Sequence, residues 1–213
     1  MRTGSLQSDL LAVLLAQGIR GPRLLEAIRA VPRVEFVPPD ALDSAYDDMP
    51  LRIPHDQVTT QPSLVAKMVE ALALSGRERV LEIGTGYGWQ TALLARLARQ
   101  VWSVERWPDL AHAARENLSR HGAENVTVVV GDGSEGLAEQ APFDAILVSA
   151  AFPEVPEPLV EQLARRGRLV QPIGPGGNEN VVLFERRLEG LVALRTVTGA
   201  HFVRLVGRRG FPT

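Results

Sequence analysis

Val80-Leu81-Glu82-Ile83-Gly84-Thr85-Gly86-Tyr87-Gly88 is the stretch on which the fold turns. A short apolar run leads into three alternating glycines, and residues 90–98 behind them have helical spacing. Glycine lets a chain turn sharply at the carboxyl end of a strand and lets its backbone approach a ligand closely. Outward from this turn the pattern repeats. Strands are predicted over 80–83, 101–104, 126–130, 145–148 and 168–172, with helices over 90–98, 108–120 and 158–164 between them. Such alternation gives a parallel sheet with helices on both faces. Residues 181–187 and 191–197 are β-rich on either side of Glu189-Gly190, which predicts a hairpin. The fold class is therefore α/β: a Rossmann-like, doubly wound, mostly parallel sheet with an antiparallel C-terminal edge.

Upstream, residues 6–31 read as two helices broken between Gly18 and Pro22, the second ended by Pro32. Residues 38–46 predict a turn or short helix. Residues 49–61 lack periodicity and carry Pro50, Pro54 and His55, so they read as an ordered loop. Pro62 stands at a first helical position, with Leu64, Val65, Met68, Val69 and Leu72 at helical spacing behind it.

Composition narrows the function classes. The chain has 213 residues, 45% of them hydrophobic and 23% charged, as expected of one ordinary domain. Its net charge of −2 gives no reason to expect a nucleic-acid partner. Cysteine is absent, which excludes disulfides, thiolate nucleophiles and cysteine-bound metals, and no metal site is expected. The apolar run 10–16 is flanked by Asp9 and Gln17 and is too short to cross a bilayer. It reads as an amphipathic helix, so no membrane partner and a cytoplasmic location are expected.

The glycine turn is spaced G-x-G-x-G rather than the G-x-G-x-x-G of nicotinamide sites, and Glu82 stands two positions before its first glycine. Glu105 follows Gly84 by 21 positions at the tip of the next predicted strand, with Arg106 after it. An acid there can accept hydrogen bonds from both hydroxyls of a ribose. The third strand ends in Gly131-Asp132-Gly133. Three features at successive strand ends fit one ligand lying across the carboxyl edge of the sheet. Bland readings stand beside these: Glu105 as a solvated strand-end charge, Asp132 as a turn residue, Thr60 as a helix cap.

The G-x-G-x-G turn with its preceding acid resembles the first motif of class I methyltransferases. Longer blocks resemble the protein-L-isoaspartate O-methyltransferase family: Val31-Pro32-Arg33, Phe36-Val37-Pro38, Ala45-Tyr46-Asp47-Asp48 and Gln57-Val58-Thr59-Thr60-Gln61-Pro62. Gly167-Arg168-Leu169-Val170 and Phe202-Val203-Arg204-Leu205 continue the likeness. The chain departs from the family pattern at Pro54 and Asp56, where glycines are usual, at Thr60, where serine is usual, and at Arg204, where proline is usual.

The resemblance implies one methyltransferase domain over 1–213, with N-terminal helices and an acceptor loop in 1–60 and a cofactor-binding core in 61–213. It implies S-adenosyl-L-methionine as cofactor, held by Glu82, Gly84, Thr85, Gly86, Gly88, Glu105, Arg106, Asp132 and Gly133, with Asp132 meeting the adenine. It further implies isoaspartyl-containing proteins and peptides as partners, with Val58, Thr59 and Gln61 binding them, Thr60 as the catalytic residue and a monomer as the working form. The acceptor carboxylate is already ionised at neutral pH, so neither a general base nor a metal is required. Three other readings stay open: a class I methyltransferase acting on RNA or a small molecule, a nicotinamide enzyme on a similar fold, and a catalytically silent binding protein that retains the nucleotide fold.

Overall fold

The computed structural model describes residues 2–212. Helices α1 (Arg2–Ala16) and α2 (Pro22–Ala30) come first, the second opening on a proline whose missing N–H costs nothing in the first turn. Short 3-10 turns follow over Arg33–Phe36 and Pro39–Ser44. Strands β1 (Leu51–Ile53) and β2 (Gln57–Thr59) then pair antiparallel, Leu51 opposite Thr59 and Ile53 opposite Gln57. This corrects the expected loop over 49–61. Three-residue strands are too short to display a period of two, and the tight connection through Pro54, His55 and Asp56 hides the pairing. His55 and Asp56 both take left-handed backbone, at φ +64° and +55°. That is the conformation the glycines usual in the resembled family adopt freely.

Helix α3 (Pro62–Leu72) leads into the sheet, whose strands are β3 (Arg79–Ile83), β4 (Gln100–Glu105), β5 (Val126–Val130), β6 (Phe143–Val148), β7 (Leu163–Ile173), β8 (Glu179–Arg187) and β9 (Gly190–Ala200). Helices α4 (Trp89–Leu97), α5 (Pro108–Arg120) and α6 (Glu157–Gln162) connect them. The spatial order is β5-β4-β3-β6-β7-β8-β9, parallel through β7 and antiparallel from there to the edge. The predicted architecture holds. Helix α6 stops two residues before the predicted end, because Leu163 and Ala164 enter β7 instead.

Consecutive connections from β3 leave in opposite directions, to β4 on one side and eventually to β6 on the other. A crevice must open where they part. Both faces of β3 are covered, so Val80, Leu81 and Ile83 are buried. One apolar cluster joins Leu10, Leu14, Ile28, Met68, Leu93 and Leu147; a second, across the sheet, joins Leu81, Ile146, Leu159 and Leu169. Leu10, Leu11 and Leu14 of the apolar run in α1 thus pack inward, while Val13 and Leu15 face outward. Among the described residues no helix is long and apolar enough to cross a membrane.

Candidate active site

The glycine turn lies at the carboxyl end of β3, where backbone pairing continues one residue beyond each strand. Gly84 N–H donates to Val104 O and Ser149 N–H to Ile83 O, both at 2.9 Å. Gly84, Gly86 and Gly88 have φ of +94°, +55° and +91°, left-handed values that an L side chain would strain. The turn is thereby pinned between β4 and β6 with its backbone facing the crevice.

Beneath it, Glu82 is fully buried and accepts hydrogen bonds from Gln90 Nε2 at 2.8 Å and from the Thr91 and Ser103 hydroxyls. Burial pushes its carboxyl up to about 7, against the pull of those three donors. Glu82 therefore braces the turn from below and does not line the crevice. Thr85 shares the same network through its hydroxyl on Ser103.

Glu105 ends β4 and is only 5% exposed. One carboxylate oxygen accepts from Gly86 N–H at 2.9 Å and the other from Trp107 N–H at 3.0 Å. A carboxylate offers about four acceptor positions, so lone pairs on both oxygens remain. Asp132, at the end of β5, accepts from the Ser134 N–H and hydroxyl and from Arg208 N–H. Partial burial works against its charge, but these donors and nearby Arg106 hold the carboxyl below the ordinary value. It lies outside the main cleft, which Gly133 lines.

The β1–β2 hairpin forms the opposite wall. Its order comes from Arg33, 1% exposed, whose guanidinium reaches the carbonyls of Ala45 (3.0 Å), Asp47 (3.1 Å) and Met49 (3.2 Å), and the Thr59 hydroxyl (2.9 Å). Burial lowers the Arg33 pKa to about 10, with Asp48 and Asp47 opposing, so it stays charged at neutral pH. Thr59 Oγ1 also accepts from Leu51 N–H at 3.3 Å, so both of its acceptor positions are taken. Gln61 binds Asp48, and Asp48 in turn accepts from Ser63 N–H at 2.8 Å, capping α3. Thr60 caps nothing. Its hydroxyl has no hydrogen-bond partner among the described residues, and it lines the cleft with Val58 and Thr59.

The cleft these walls enclose has about 1050 Å³ of free space, solvent at its mouth included. Of the sequence-predicted residues it gathers Val58, Thr59, Thr60, Gly84, Thr85, Gly86, Gly88, Glu105, Arg106 and Gly133. Glu82, Gln61 and Asp132 stand outside its lining.

Sequence reasoning missed several further wall residues. Trp107, directly after Glu105-Arg106, was signalled only by an aromatic at a strand tip. It stacks on His55 at 3.9 Å, while His55 Nε2 meets the Asp109 carboxylate at 2.9 Å, which clasps the hairpin tip to α5. Gln90, a polar residue in the first turn of α4, was the second signal. Its Oε1 is buried and without a partner. Ser149 and the segment Val203–Val206 complete the wall.

Fold and cleft together define a Rossmann-like protein with its ligand site at the carboxyl edge of the sheet, beside the strand-order switch. The chain belongs to the protein-L-isoaspartate(D-aspartate) O-methyltransferase family, whose model matches residues 5–210. A protein-L-isoaspartate O-methyltransferase of Methanoculleus marisnigri is 50% identical over 196 residues, covering 92% of this chain and 89% of that one. Its counterpart from Geobacter metallireducens is 47% identical over 200 residues, covering 94% and 93%. A solved protein-L-isoaspartate O-methyltransferase superposes with a TM-score of 0.84 at 31% identity, over 96% of this chain and 67% of that one. A Plasmodium falciparum structure of the same description, in complex with S-adenosyl-L-homocysteine, shares the fold with a TM-score of 0.78 at 23% identity, over 93% and 97%.

Proposed function

We propose that this protein transfers the methyl group of S-adenosyl-L-methionine to the free α-carboxylate of L-isoaspartyl residues in damaged proteins and peptides. Family membership supports the reaction. The observation that carries its residue assignment is the unpartnered Thr60 hydroxyl in the cleft that also holds the glycine turn.

The residues present fit the cofactor. Glu105 keeps lone pairs for two ribose hydroxyls, and Gly84 and Gly86 leave backbone open where side chains would stand. The orphan acceptor Gln90 Oε1 calls for a donor, and the cofactor carries one in its α-ammonium. Gly133 lines the adenine end in this reading. Asp132 adds the lone pair left on Oδ2, and Arg106 and Trp107 form the outer wall. When bound, the cofactor supplies a methyl group on a sulfonium, electrophilic without a metal.

The acceptor carboxylate is ionised at neutral pH, so no residue need take a proton. The protein's part is placement and exclusion of water. Thr60 donates a hydrogen bond that orients the acceptor. Val58 flanks it at the mouth, and Thr59 and Gln61 hold the loop in shape through Arg33 and Asp48. A monomer is the working form in this reading. Leu10, Leu11 and Leu14 of α1 are buried in the core, which supports the reading of this run as a packed amphipathic helix rather than a membrane segment; a cytoplasmic location belongs to this reading.

Thr60→Ala should lower kcat about 10- to 100-fold on an isoaspartyl peptide with the cofactor KM unchanged, and Thr60→Ser should restore most of it. Unchanged turnover in the alanine variant would remove Thr60 from the mechanism.

A further inference from the structure

Two cations at the cleft mouth are candidates for a task the transfer itself does not use. Arg106 lies over the Trp107 ring and faces the acid Asp132. Arg204 differs. It lines the same cleft as Thr60, is exposed, and has neither a hydrogen bond nor an ion pair among the described residues. Glu179, on neighbouring β8, makes no ion pair with it: the Glu179 carboxylate is buried and turned to the N–H groups of Asn178 (2.7 Å) and Phe202 (2.8 Å).

The guanidinium is nonetheless fixed in place. It sits over the face of Phe211, 4.9 Å from the ring centre. Phe211 is held edge-on by Phe152 at 5.2 Å and by its N–H on Leu205 O at 2.7 Å. The Arg204 backbone is anchored on both sides, by Ala151 N–H to Val203 O (2.7 Å) and by Leu205 N–H to Ala151 O (2.8 Å). Its aliphatic stem passes so close to Gly176 that a Cβ there would come within 2.8 Å of Arg204 Cγ. A glycine at 176 therefore makes room for this arginine. The result is a pre-ordered planar donor fork with its hydrogen-bonding edge unclaimed.

We propose that Arg204 is a specificity-determining residue, receiving an acidic side chain adjacent to the isoaspartyl residue of the substrate. The inference rests on the function proposed above. The group received is not the reacting carboxylate. Methyl transfer removes the negative charge of that group, so a guanidinium bound to it would hold the ground state more tightly than the transition state and slow the reaction. A flanking carboxylate keeps its charge throughout, and binding it lowers KM without touching the chemical step.

The test compares two peptides, identical except that one carries glutamate and the other glutamine beside the isoaspartyl residue, with native protein, Arg204→Gln and Arg204→Glu. Native protein should favour the glutamate peptide about three- to tenfold in kcat/KM, through KM, with the preference shrinking as salt rises. Arg204→Gln should bring the ratio to about one by raising the KM for the glutamate peptide, and Arg204→Glu should invert it. Equal use of both peptides by native protein, or a preference that survives Arg204→Gln, would each overturn the proposal. Methylation of neither peptide would instead sink the isoaspartyl function, and this inference with it.

Discussion

Thr59 and Thr60 are adjacent and chemically alike, yet their hydroxyls serve different ends. Thr59 Oγ1 is bound by Arg33 and by Leu51 N–H, whereas Thr60 Oγ1 is left to the cleft. Only the family resemblance sets the two apart in the sequence; the contact that does so is with Arg33, 26 positions upstream of Thr59. Glu82 was legible as an acid ahead of the glycines, but not as a buried brace, since its donors arrive from α4 and β4. Its titration has a measurable consequence. Unfolded, it titrates near the ordinary 4.5, and folded near 7, so between those values the native protein holds a proton the unfolded chain has released. Stability from this group therefore falls as pH rises from about 4.5 to about 7, by on the order of 3 kcal/mol. Glu82→Gln should flatten that part of the stability profile, measured by chemical denaturation at pH 5 and 7. Parallel slopes in the two proteins would show that Glu82 does not titrate there.

The elements were legible where a local signal marks their ends. Helix α5 and strand β5 match their predicted bounds to the residue, because Pro108 opens the helix and the valine run 128–130 closes the strand. The β1–β2 hairpin escaped prediction because neither strand exceeds three residues and its turn is built without glycine. Its clasp is likewise a matter of tertiary contact: His55 against Trp107 and Asp109, some fifty positions apart in sequence. The hydrogen bond from His55 holds the Asp109 carboxyl below its ordinary value. The pair is exposed, so its worth to global stability is small. Because Ile53 of the same hairpin packs 3.7 Å from where a Gly86 Cβ would stand, the clasp's effect should appear at the cofactor cleft. His55→Ala should leave the melting temperature within about 2 °C of native yet raise the Kd for S-adenosyl-L-homocysteine about three- to tenfold, read by titration calorimetry. An unchanged Kd would reduce the clasp to surface decoration.

At the scale of the whole molecule, three strand-end features spaced along the sequence come to one edge of one sheet, as the parallel neighbours β5, β4 and β3 require. Glu105 and the glycine turn meet directly through the Gly86 N–H. Asp132 is the exception, turned toward Ser134 and the C-terminal Arg208. That contact was not legible, because residues 208–212 return to the sheet only through tertiary packing. The N-terminal 60 residues supply the facing wall, and Arg33 is the link that makes those distant carbonyls one surface. Methyl transfer follows from this geometry only if the cleft admits an isoaspartyl residue and rejects its normal isomer. The direct measurement is incorporation of label from methyl-labelled S-adenosyl-L-methionine into two peptides that differ only in one isoaspartyl or aspartyl linkage. The account predicts stoichiometric, base-labile label on the isoaspartyl peptide and background on the aspartyl one; equal labelling of the two, or none on either, would contradict it.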